Sequence, residues 1–87
     1  MSRSLRKTPR FLTQAYEASQ NVPRLLESIA AAEWILVRRP EQGMAVRGTR
    51  YNSWPIHPAE GMSFKIVYFH NENEVVMDGI YPVVAPS

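Results

Sequence analysis

The feature that most constrains this chain is a change of hydrophobic period at Pro40 and Gly43. Before it, Leu25, Ile29, Ala32 and Leu36 recur at i, i+4, i+7 and i+11, and Val22, Leu26 and Ile35 widen the stripe. That is one face of an amphipathic helix. Pro40 cannot continue the helix, and Gly43 follows as a turn signal. After it, apolar residues come in short β-branched and aromatic runs, which read as strands. The chain must therefore bury a helical face against a sheet.

The spacing predicts the long helix from about Val22 to Arg39. Asn21 is expected to cap it, with Pro23 in the first turn, where its missing N–H costs nothing. Arg38 and Arg39 fall in the last turn, where positive charge complements the carbonyl end of the helix. A shorter helix precedes it: Phe11, Leu12, Ala15 and Tyr16 share one face, and the pattern ends near Ser19–Asn21.

Downstream, Met44–Arg47 and Tyr51–Ile56 read as short strands, and Pro55 puts the second at an edge or a strand end. His57–Gly61 reads as a turn or loop. Ser63–His70 and Glu74–Tyr81 flank a polar tip and read as an antiparallel hairpin. Phe64, Ile66 and Tyr68 point one way and Lys65, Val67 and Phe69 the other, so Ser63–His70 is expected in the sheet centre. The expected fold is α+β: two N-terminal helices packed on one face of a three- to four-stranded antiparallel sheet. Residues 11–87 form a single domain in this reading, and residues 1–10 are a basic arm or an irregular first strand.

Composition narrows the class. With 87 residues there is room for one domain, and 45% apolar with 21% charged residues excludes an intrinsically disordered chain. No apolar run approaches the ~20 residues of a membrane-spanning helix, and no apolar segment follows the basic N-terminus as a secretory signal requires. The chain has no cysteine, which excludes a thiol nucleophile, a disulfide framework and a cysteine-based zinc site. A cytoplasmic setting is the simplest expectation. The two histidines, His57 and His70, have no metal-ligand spacing, so no metal or cofactor is expected. His57, in the expected loop, is either a lone general base or a solvated side chain. No glycine-rich phosphate loop is present.

Charge is uneven. Residues 1–50 hold nine Lys or Arg against four acids, whereas residues 51–87 hold one Lys against four acids. This asymmetry suggests either a basic surface for nucleic acid or an acidic protein, or a solvated basic arm.

Three blocks in order resemble a known family. Leu26–Gly43 (LESIAAAEWILVRRPEQG) looks like the long helix of the RelE/ParE superfamily of toxins. Phe64-Lys65-Ile66-Val67-Tyr68 resembles that family's "YRIVY" strand, and Val75-Val76-Met77-Asp78-Gly79-Ile80 resembles its last strand. The resemblance covers roughly residues 11–82. It implies the toxin of a type II toxin–antitoxin pair, cytoplasmic and held inactive in a hetero-oligomer with a cognate antitoxin. The target is then mRNA on the ribosome in the RelE branch or DNA gyrase in the ParE branch.

Cleavage of RNA by 2′-hydroxyl attack needs a base, cations for the phosphate and an acid for the leaving oxygen. By resemblance, Lys65 matches the cationic position of the "YRIVY" strand and Tyr81 lies near the catalytic position after the last strand. Lys65 and Tyr81 are therefore the catalytic candidates, and Arg47, Arg50 and Lys65 the RNA-binding ones. Residues 82–87 (PVVAPS) contain no Arg, His or Lys, where the family's active nucleases usually carry a basic or histidine-containing tail. The alternative expectation is a catalytically degenerate interaction module or a small basic nucleic-acid-binding domain. Trp54, beside Pro55, reads as a partner-facing aromatic, and Trp34 rims the helical stripe, packing on the sheet or on a partner.

Overall fold

The computed structural model describes residues 3–83. It is an α+β fold in which two helices cover one face of a five-stranded mixed sheet. The strands are β1 (Ser4–Lys7), β2 (Met44–Ala45), β3 (Asn52–Ala59), β4 (Met62–His70) and β5 (Glu74–Pro82). The helices are α1 (Pro9–Ser19) and α2 (Leu25–Arg38), and a single 3-10 turn follows at Pro40–Gln42. Strand order is β1-β5-β4-β3-β2, with β1 parallel to β5 and the other neighbours antiparallel.

The sheet thus has five strands where three or four are expected, and it is mixed. The added strand lies in the basic N-terminal segment, with Leu5 opposite Val75 and Lys7 opposite Met77. Leu5 packs against the helix-side core, Arg6 pairs with Glu74 at 3.3 Å, and Lys7 reaches Glu33 of α2 at 2.7 Å. Glu33 Oε2 has no hydrogen-bond partner of good geometry among the described residues, so the Lys7 charge answers its own. The N-terminal bases are therefore split between the two faces and partly neutralised, and they do not make one basic surface. A four-residue edge strand carrying charge is also a guard against pairing with other chains.

Helix α1 begins at Thr8, whose Oγ1 accepts a hydrogen bond from the Phe11 N–H at 3.2 Å, with Pro9 in the first turn. Phe11 and Ala15 are buried, but Leu12 and Tyr16 are 52% and 68% exposed, so only half of the expected stripe meets the sheet. Helix α2 starts at Leu25, three residues later than expected. The Asn21 and Val22 amides donate to the Ala18 carbonyl and close α1, so Asn21 ends one helix and does not cap the next. Arg24 takes the N-cap position in the left-handed region, φ 65°, without a side-chain cap. Leu25, Ile29, Ala32 and Leu36 are buried as their spacing requires, while Leu26 faces solvent.

The core fills the space between the helices and Ile56, Phe64, Ile66, Tyr68, Val75, Met77 and Ile80 of the sheet. Tyr68 carries the polar atom of this layer, and its hydroxyl donates to the Pro40 carbonyl at 2.5 Å. Gly43 passes so close that a methyl group there would overlap the Tyr68 hydroxyl. The Pro40–Gly43 stop is thereby tied to the centre of the sheet.

Strand β3 runs through both Pro55 and Pro58 to Ala59, where a loop is expected from His57. The pairing explains it: β2 covers β3 only at Asn52 and Ser53, so the rest of β3 has an open edge. Proline is tolerated there because no neighbouring strand needs its N–H.

Candidate functional site

Helices cover one face of the sheet; the opposite face holds the candidate site. Side chains alternate along β4, so Phe64, Ile66 and Tyr68 enter the core while Ser63, Lys65, Val67 and Phe69 project from the open face. Strand β5 does not keep a strict two-residue period. Val67 faces Gly79, but Tyr68 faces Met77, so Asp78 is an extra residue in a β-bulge. Strict alternation would put Tyr81 on the buried face with Met77. The bulge puts it on the open face, directly opposite Lys65.

The bulge is held from both sides. Gln14 Oε1 of α1 accepts from the Ile80 N–H at 2.9 Å, and the Thr8 N–H donates to the Met77 carbonyl at 3.0 Å. These bonds continue the β5 edge pairing past the end of β1. On the open side, the Tyr51 hydroxyl donates to Asp78 Oδ2 at 3.0 Å. Tyr51 packs edge-on against Phe69 with ring centroids 5.7 Å apart, and the Arg50 guanidinium lies 4.0 Å above the Phe69 ring. Val76, the register partner of Phe69, is fully buried in this second, smaller apolar layer.

Tyr81 is 41% exposed, and its ring folds back over Gly79, where any Cβ would meet it at 2.7 Å. Lys65 and Tyr81 thus form a cross-strand pair, with the Arg50–Phe69–Tyr51 cluster further along the same face. Arg47 does not join them: it is exposed in the β2–β3 turn, which is closed by the Thr49 N–H and hydroxyl, both donating to the Val46 carbonyl.

Trp34 is 62% exposed, so it is not a core residue. The Arg38 guanidinium stacks 4.0 Å above its ring and donates to the Trp34 carbonyl at 2.8 Å. Trp34, Ile35, Arg38, Arg39 and Gln42 line a groove of about 420 Å³. Trp54 is half-buried against the core, and it stands where the open edge of β3 begins, just past the last residue that β2 pairs with. With Gln42, Met44, Ser53, Pro55 and Lys65 it lines a second groove of about 420 Å³. Gln42 touches both grooves, and Lys65 links the second to the open face.

His57 is on a strand where the sequence predicts a loop. It lies on β3 and its Nδ1 is 3.0 Å from Ser63 Oγ of β4, on the face that carries Lys65. The two prolines around it read as a loop and masked this pairing. Burial pushes the Tyr68 hydroxyl above the usual tyrosine range, reinforced by the Glu41 charge and opposed by a backbone hydrogen bond from Gly43. Tyr68 therefore serves structure. Among the described residues, no group of three or more His, Asp or Glu side chains could hold a metal ion. None of the described helices is long and apolar enough to cross a membrane. The four-residue tail 84–87, part of the PVVAPS segment, lies outside the described residues. No protein-family model matches this chain, and no characterised protein matches its sequence.

Proposed function

We propose that this chain is the toxin of a type II toxin–antitoxin pair and that it acts on RNA through the open face of its sheet. The carrying observation is the cross-strand pair of Lys65 and Tyr81, aimed at solvent by the Asp78 bulge. A cation beside a phenol on an exposed surface can meet a phosphate and donate to a leaving oxygen. Tyr51, Phe69 and Tyr81 add ring faces, and Arg50 adds a second cation, in the combination that suits a single-stranded backbone with unstacked bases. The ordered resemblance of the three sequence blocks to RelE/ParE toxins supports the same reading. In it, the chain works in the cytoplasm and a cognate antitoxin covers the exposed apolar side chains, including Trp34 and the groove beside Trp54. The exposed cations Lys65 and Arg50 favour messenger RNA over DNA gyrase as the target.

The test is tightly controlled induction of the chain alone in a bacterial host, with total RNA and plasmid topology read from one culture. Growth arrest with fragmented mRNA is expected. Arrest with intact mRNA and altered supercoiling would replace the RNA target with gyrase. Normal growth with soluble, folded protein would leave the binding-module reading, which the isolation of Arg47 from Lys65 and Tyr81 favours.

A further inference from the structure

The outer side of the helix layer carries apolar residues that the fold does not bury. Leu12 and Tyr16 of α1 are exposed, and Leu26 of α2 is 60% exposed. They wall a groove between the two helices, of about 220 Å³, floored by Phe11, Ala15 and Ile29. A second recess of about 230 Å³ continues it past Ser19 and Leu26 to Val22 and Pro23. From this surface we infer that the helix layer is a two-fold contact between two copies of this chain.

Shape and charge select a second copy. The groove is smaller than the ~300–1,000 Å³ of small-molecule sites, and it suits a single large side chain. Tyr16 projects beside it. A patch with both a projection and a recess pairs with itself across a two-fold axis, the same residues serving on both sides. The charges of the layer are balanced in sign. Arg10 and Arg24 stand against Glu17 and Glu27, all exposed, and Lys7 is paired with Glu33. Balanced signs let the cations of one copy meet the acids of the other, and they offer no field to a polyanion.

The grooves at Trp34 and Trp54 are the opposite case. Arg38, Arg39 and Lys65 line them and no acid does, so two copies repel there. Size is also adequate. Helices of 11 and 14 residues are about 16 and 21 Å long, and two abreast cover roughly 20 Å by 20 Å. With side chains projecting from it, that area is of the order of the ~800 Å² each partner gives to a stable interface. The contact lies across the sheet from Lys65 and Tyr81, which stay open on both outer sides of the dimer. It leaves Trp34 and the groove beside Trp54 to the antitoxin of the reading above, and it stands without that reading.

The experiment is sedimentation equilibrium of the full chain over a range of concentrations, with the fold of every variant checked by circular dichroism. The wild type should pass from the monomer mass of 10.0 kDa to twice that value and no further. Tyr16→Ala and Leu26→Ala, both at exposed positions, should each weaken association about 10- to 100-fold. Because the chain has no cysteine, a single introduced thiol reports proximity. Ser19→Cys, in the groove wall, should be joined into a dimer by a short bifunctional thiol reagent. Met44→Cys, 74% exposed on edge strand β2, should not. A folded wild type that stays monomeric would overturn the inference, whatever other protein it binds. So would a Tyr16→Ala variant that dimerises like the wild type, or cross-linking through Met44→Cys alone. Growth beyond a dimer would overturn it too, because a head-to-tail contact does not close at two copies.

Discussion

The two faces of strand β4 follow opposite rules. On the helix side, Phe64, Ile66 and Tyr68 are buried among residues from every principal element, and the Tyr68 hydroxyl is bonded to the Pro40 carbonyl. On the open side, Lys65 is exposed, and cations, phenols and an imidazole share the surface with half-buried Val67 and Phe69. One face spends its residues on packing. The other leaves groups that hydrogen-bond or carry charge within reach of a ligand. Function is expected to follow the second face and stability the first.

Adjacent residues give the sharpest test of that contrast. Ile66→Ala opens a cavity in the core and should cost about 2–5 kcal/mol. Val67→Ala, one residue on, should cost less than about 1 kcal/mol, because it removes only part of a half-buried side chain. Urea denaturation of both variants measures the difference, and equal losses would erase the distinction between the faces. Next in size is Gln14→Ala, which leaves the partly buried Ile80 amide without its partner. A loss of about 1–3 kcal/mol is expected in the same assay.

Alkaline titration separates the faces in another way. The folded Tyr68 hydroxyl ionises above the usual range because it is buried. Its contribution to stability is complete below the ordinary tyrosine value of about 10. It is lost as pH rises from there through the higher folded value, because the unfolded chain releases the proton first. Thermal melts should show the wild type losing more stability over that alkaline interval than Tyr68→Phe does. An identical decline in both would remove Tyr68 as the cause. The smallest stability effect belongs to Lys65→Ala, within about 0.5 kcal/mol. Its effect should appear in RNA affinity, with the salt slope reduced by about one.

How much of this was legible in the sequence follows from the same contrast. Leu25, Ile29, Ala32 and Leu36 repeat with a helical period because one continuous surface receives them, and their burial was readable. Alternation along β4 was readable for the same reason. Strand β1 was readable only as an alternative to a basic arm, because Leu5 alone of its four residues packs on the core, and one apolar residue sets no period. The start of α2 was misread because Asn21 caps well in isolation, whereas here its amide closes α1. The aim of Tyr81 depends on one extra residue in β5. Gly79 was the available signal, since a lone glycine inside a strand pattern often accompanies a bulge. Strand β3 hid His57 because its prolines break a central strand but not an edge, and edge position depends on how short β2 is.

The most direct test of the central claim is an NMR titration of the isotope-labelled chain with a single-stranded RNA oligonucleotide. Backbone amide shifts are expected at His57, Ser63, Lys65, Val67 and Tyr81, with α1 and α2 unmoved. Shifts confined to the α1–α2 surface around Leu12, Tyr16 and Leu26, with the open face silent, would contradict it.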